Sequence, residues 1–125
     1  MYSVLRFRNL PDDETIARIG QLANETIPGL YDGPDREEGR ISVSLADNDD
    51  WAVHTAGLQD RLQALAAVIL AAKAAGATLE IDIAIWDKDY YVRWLTEYTV
   101  GTSLLRILAA DEIELCISIY GVKRR

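Results

Sequence analysis

Few side chains in this chain could do chemistry, and their spacing limits what that chemistry could be. His54 is the single histidine and Cys116 the single cysteine, so no histidine cluster, no multi-cysteine zinc site and no internal disulfide can form. His54 falls one helical step from Trp51 and Leu58. That is the position of a half-buried structural histidine rather than of a general base. Cys116, between alternating apolar residues, reads as a small packed side chain. Asp47-Asn48-Asp49-Asp50 has the composition of a cation site but lacks the spacing and the closing Glu of a calcium loop, and its acids serve equally well as turn and helix cap. The chain has no Gly-x-Ser-x-Gly elbow, phosphate-cradling glycine loop or His-Glu-x-x-His helix. The expectation is a protein with no catalytic residue, no metal and no cofactor.

Recognition has stronger candidates. Residues 86–98 run Trp86-Asp87-Lys88-Asp89-Tyr90-Tyr91-Val92-Arg93-Trp94-Leu95-Thr96-Glu97-Tyr98 and hold five of the ten aromatics in the chain, interleaved with five charged groups. Trp, Tyr and Arg bring large apolar area and a polar tip at low entropic cost, which is why they dominate binding hot spots. The alternative is a β-hairpin turning at Asp87-Lys88-Asp89, with half of the aromatics packed on the core. Asp47, Asp49, Asp50, Trp86, Asp87, Asp89, Tyr90, Tyr91, Arg93, Trp94 and Tyr98 form the expected partner-binding set.

Charge bears on the partner. With 13 Lys+Arg against 20 Asp+Glu the 125 residues carry −7, which argues against an extended phosphate-binding surface and so against nucleic acid. Between Asp32 and Asp50 seven acids face only Arg36 and Arg40, so −5 of the −7 lies in nineteen residues. A local acidic excess steers a basic partner. The start of the chain has no basic-then-apolar signal pattern, and the longest apolar stretch, residues 62–77, is interrupted by Gln63, Lys73 and Gly76. A cytoplasmic protein without membrane contact is expected. Asn24-Glu25-Thr26 matches a glycosylation acceptor that this reading leaves unused.

Hydrophobic period supplies the elements that must position these groups. Tyr2 to Asn9 alternates Leu5 and Phe7 with Arg6 and Arg8, a half-buried strand. Pro11-Asp12-Asp13-Glu14 opens a helix, with proline in its first turn, whose apolar face carries Ile16, Ile19 and Leu22/Ala23. Residues 28–40 are rich in turn formers and charge and read as a surface loop. Arg40 to Ala46 alternates Ile41, Val43 and Leu45 with serines, a second strand. Asp49 or Asp50 then caps a long helix reaching Ala75-Gly76, in which Trp51, Thr55, Leu58, Leu62, Leu65, Ile69 and Ala72 recur at intervals of three or four, with Gly57 as the expected point of kinking or splitting. Leu79 to Trp86 is a third strand, Ser103 to Ala110 a short helix, and Ile113 to Tyr120 a fourth strand.

Every strand is apolar on one side only, so one sheet face is covered by helices and the other meets water or a partner. The fold class expected is a single α+β domain over residues 1–125: a two-layer sandwich with one mostly antiparallel four- to five-stranded sheet and helices on one face. Arg6, Arg8, Ser42, Ser44, Glu80, Asp82, Trp86, Glu114, Cys116, Ser118 and Tyr120 would share the open face, where cross-strand ion pairs account for the opposite charges.

The block from Leu104 to Tyr120, a Leu-rich short helix running straight into a strand that ends Ile119-Tyr120, resembles the C-terminal signature of an uncharacterised bacterial family, domain of unknown function 4279. The order of preceding elements is similar, while the Trp-x-x-Gly-Asp pattern associated with that family is missing after the first helix. The resemblance implies no established chemistry; by association, small acidic bacterial proteins of this kind include immunity proteins of toxin systems.

Three functions follow as expectations. The leading one is a non-enzymatic protein-binding domain, an immunity-type antagonist of a basic bacterial toxin. The second is a small-ligand-binding or enzymatic domain with a pocket between the long helix and residues 86–98, using His54, Asp87, Asp89 and Arg93. The third is a homodimer joined through the open sheet face or a strand edge.

Overall fold

A computed structural model describes residues 1–33, 39–87 and 97–121 of the chain. In order the elements are β1 (Tyr2–Arg8), α1 (Asp13–Thr26), β2 (Ile41–Asp47), α2 (Trp51–Ala64), α3 (Ala66–Ala74), β3 (Thr78–Asp87), α4 (Thr102–Ala110) and β4 (Ile113–Gly121). The four strands form one sheet in the order β2-β1-β3-β4. β1 is antiparallel to both β2 and β3, whereas β3 and β4 run parallel through the α4 crossover. The chain is thus the expected α+β fold, a mostly antiparallel sheet with helices packed on it.

Alternation decides which face is covered. Leu5 and Phe7 of β1, Ile41, Val43 and Leu45 of β2, and Leu79, Ile81, Ile83 and Ile85 of β3 all turn to the helix side and are buried. Ile16, Ile19 and Ala23 of α1, Leu58 and Leu62 of α2, Val68, Ile69 and Ala72 of α3, and Leu104 and Leu108 of α4 close the core over them. Each fully buried Leu, Ile or Phe contributes roughly 1.5–3 kcal/mol, so the core rather than surface pairing stabilises the fold.

The long helix breaks at Leu65 and not at Gly57. Leu65 departs from helical geometry at φ −90, ψ 10, ends α2 with its N–H on the Arg61 carbonyl, and starts α3 by accepting the Ile69 N–H. Leu62, Leu65, Val68 and Ile69, on both sides of the change of direction, are all within 1% of full burial. Gly57 has open space around it and no structural demand on its missing side chain.

The loop after α1 is more than a solvated connection. Asn24 donates from Nδ2 to the Tyr31 carbonyl at 2.9 Å and accepts the Tyr31 N–H on Oδ1 at 2.7 Å, so its side chain stands in for a strand partner. The Tyr31 ring lies on Gly20 of α1, where an added Cβ would meet Cε1 at 2.2 Å. Gly20→Ala is therefore expected to displace the ring and to destabilise the protein by about 1–3 kcal/mol in urea unfolding. In a Tyr31→Ala background the same substitution is expected to be neutral or stabilising by up to about 1 kcal/mol, the helix preference of Ala over Gly. Equal costs in both backgrounds would mean that the ring is not what excludes the side chain.

Candidate functional site

The antiparallel and parallel registers bring the C-terminal ends of β2, β3 and β4 to one end of the sheet. Tyr2 pairs with Asp47 on one side and Ala84 on the other, and Trp86 pairs with Tyr120. The acidic turn after β2 and the aromatic end of β3 are consequently two strand spacings apart, roughly 10 Å. Of the expected binding set, Asp47, Asp49, Asp50, Trp86, Asp87 and Tyr98 are described; Asp89, Tyr90, Tyr91, Arg93 and Trp94 lie outside the described residues.

The described members have different jobs. Asp50 caps α2 by accepting the Val53 N–H at 3.0 Å, and Asn48 Oδ1 accepts the Asp50 N–H at 2.7 Å. Asp49, fully exposed, meets the Met1 amino group at 2.6 Å. An ion pair this open contributes little to stability. Asp47 ends β2 in solvent. Among the described residues no three His, Cys, Asp or Glu side chains are grouped to hold a metal ion.

The aromatic members divide between the two faces. Trp86 stands on the open face and stacks on Tyr120 with centroids 5.4 Å apart and rings 19° from parallel. Trp86 is 56% exposed and Tyr120 50%. Asp87, the next residue, points to the opposite side and is buried. Tyr98 lies against Trp51 at 5.0 Å, and Trp51 Nε1 donates to the Thr99 carbonyl at 2.8 Å, so this pair ties the return from residue 97 onto α2. Trp86 and Tyr98 therefore do not belong to one continuous aromatic surface.

Below the aromatic pair the open face is ionic. Arg6 donates to Glu80 and Asp82, each at 3.0 Å; Arg8 reaches Glu80; and Ser118 Oγ donates to Asp82 at 3.2 Å. Burial works against the Arg6 charge, but the hydrogen bonds and charges of Asp82 and Glu80 outweigh it and hold its pKa above the ordinary value. Cys116 sits on this face and is exposed, not packed: its neighbours alternate to the helix side, and its thiol lies 3.8 Å from Ser118 Oγ.

Tyr120 and Tyr2 complete the exposed aromatic group, and neither was in the expected set. Alternation alone puts Tyr120 on the face of Trp86, but only the parallel register sets the two side by side. Tyr2 is at the same end of the sheet, its hydroxyl hydrogen-bonded to Ser44 Oγ.

His54 is fully buried, deeper than its half-buried expectation. Nδ1 lies 3.1 Å from the Asn48 carbonyl and must donate to it; Nε2 then accepts from Ser3 Oγ, itself buried. The ring stacks on Trp51 at 6.5 Å. Both nitrogens are committed, and the imidazole has no exposed edge to offer a substrate. Depressions of about 360, 370 and 230 Å³ are lined respectively by residues around Asn9 and Gly39, around Gly57 and Arg61, and around Tyr2 and Asp47. His54 lines none of these.

Comparison of the chain with protein-family models, with curated proteins and with solved structures finds no match. No described helix is long and apolar enough to cross a membrane.

Burial pushes the His54 pKa below its ordinary 6.5, against the Asn48 carbonyl, Asp47 and Asp49, which raise it, and with the Met1 amino group, which lowers it. The unfolded chain binds the proton more readily than the folded one. The stability this adds is fully present above pH 6.5 and is lost as pH falls through the depressed folded value. His54→Phe leaves Ser3 and the Asn48 carbonyl without their partner and is expected to cost about 1–3 kcal/mol above that pH. The gap between wild type and variant should narrow as pH drops, because only the wild type must protonate a buried ring. A constant gap in denaturant titrations across the acid range would contradict this protonation account.

Proposed function

We propose that this chain is a non-enzymatic protein-binding domain that docks a basic protein on the end of its sheet formed by Asp47, Tyr2, Trp86 and Tyr120. The observation that carries the reading is the Trp86–Tyr120 stack, two large aromatics half exposed side by side on the face that the helices do not cover. Such a pair offers a half-exposed patch of aromatic surface, the residue types that anchor protein partners. The exposed carboxylates of Asp47 and Asp49, at the same end, and the overall −7 supply attraction at a distance. Antagonism of a basic bacterial toxin is the specific form of this reading.

The ligand-pocket alternative finds less support. It needs His54 as a working base, and that ring is engaged at both nitrogens inside the core. The acids of the turn carry structural duties as well as charge, so the aromatic platform is the part of the surface whose loss should be felt by a partner and not by the fold.

The test is capture on the immobilised full chain at low ionic strength, with bound proteins identified by mass spectrometry, set against the double variant Trp86→Ala/Tyr120→Ala. The expected result is a basic protein retained by the wild type, released as salt rises, and weakened about 30-fold or more on the variant, the scale of a hot-spot loss of about 2 kcal/mol. Equal capture by both chains, or an acidic partner held independently of salt, would overturn the reading.

A further inference from the structure

Among the described residues β4 pairs with β3 alone, in an unbroken parallel register from Leu79–Ile113 to Asp87–Gly121. Its other row of backbone N–H and C=O groups lies along the sheet's edge. Edge strands are ordinarily blunted by charge, proline, a bulge or shortness. The opposite edge strand, β2, shows one such device in the register shift opposite Ser3 and Val4. β4 shows none: nine residues long, it has no proline, no shift against β3 and a single charged side chain, Glu114.

Its side chains also remain open where the rest of the core is closed. Ile117 and Ile119 belong to the helix-side face by register with Ile83 and Ile85, which are buried, yet they are 37% and 42% exposed. An apolar, charge-poor, uninterrupted edge is a template for another strand.

We infer that β4 pairs antiparallel with β4 of a second copy of this chain, centred on Ile117, to make one continuous eight-stranded sheet. The choice of a second copy rests on the strand's self-complementarity. Ile117 is the middle of the nine residues, so a two-fold axis there pairs the strand along its whole length. Ile117 then faces Ile117 of the second copy, and Leu115 faces Ile119. On the open face Cys116 meets Ser118 and Glu114 meets Tyr120, so no like charges are opposed. Residues opposite one another in an antiparallel pair share a face, so the apolar sides of both copies meet and their helices cover the same side of the joined sheet. An isologous contact of this kind closes after two copies and leaves the β2 edges at the ends. The pairing sets Glu114 of the second copy beside Tyr120, at the margin of the Trp86–Tyr120 stack, but it is carried by the edge of β4 about Ile117, so the substitutions that test it leave both aromatics in place and separate it from the proposed function.

Sedimentation over a concentration series, with far-ultraviolet circular dichroism to confirm folding, tests it. The full chain is expected at twice its 13.9 kDa mass. Ile117→Lys and Ile117→Glu each place like charges against one another at the axis and are expected to sediment as monomers, while an equimolar mixture of the two restores the doubled mass. Independently, Ser118→Cys sets a thiol directly opposite Cys116 of the second copy, within disulfide reach. With oxidised glutathione as electron acceptor, this variant is expected to run as a crosslinked dimer on a non-reducing gel. A wild-type chain that stays monomeric at high concentration, or a dimer untouched by both Ile117 substitutions and not crosslinked in the Ser118→Cys variant, would overturn the inference.

Discussion

Strand β1 is hydrogen-bonded on both sides, to β2 and to β3, so its two-residue period must satisfy two neighbours at once. Ser3, Leu5 and Phe7 go to the helix side and are fully buried; Tyr2, Val4, Arg6 and Arg8 go to the other. A one-residue slip would drive Arg6 into the core and expose Phe7. On the correct register Arg6 lies between Glu80 and Asp82, which opposes any such slip from the open face. The positions of the acidic turn, the aromatic pair and the buried histidine all follow from this strand.

The turn at residues 47–50 shows how few groups join the layers. Asn48 donates its N–H to the Met1 carbonyl, accepts the Asp50 N–H on its side chain, and receives the His54 Nδ1 proton on its own carbonyl. One residue thereby connects β1, the start of α2 and a buried ring. His54 closes the circuit through Ser3, where a serine on a core-facing strand position would otherwise leave a hydroxyl unsatisfied. The histidine is consumed by this structural work, and the proposed recognition rests on surfaces that the fold does not use.

Those surfaces are the exposed end of the sheet and the outer edge of β4. Both arise because α4 carries the chain across to lay β4 parallel to β3 at the sheet margin. The parallel register puts Tyr120 beside Trp86 on one face and aligns Ile117 and Ile119 with the buried isoleucines of β3 on the other. The same crossover therefore creates an aromatic platform and an apolar edge.

Alternation in Leu79–Trp86 and Ile113–Tyr120, a cap for α2 from Asp49 or Asp50, and the covered and open faces were all legible in the chain, because side-chain period and capping are properties of a few adjacent residues. Where α1 begins was legible only to within a residue or two: its helix starts at Asp13, Asp12 accepts the Thr15 N–H as the cap, and Pro11 precedes the helix instead of filling its first turn. The break at Leu65 was not, since leucine favours the helix and no adjacent Gly or Pro marks a stop there. Gly20 and Asn24 carry no local signal of the Tyr31 contacts they make seven to eleven residues later. Alternation put Cys116 on the open face, but that its thiol stays exposed there and is not packed depends on the side chains of neighbouring strands, which the local pattern does not specify. Local periodicity settles what each segment becomes and which of its sides is apolar. Strand order and register, which are set by long-range pairing across the whole core, settle which segments meet: Trp86 with Tyr120, His54 with Ser3, and β4 with the sheet's edge.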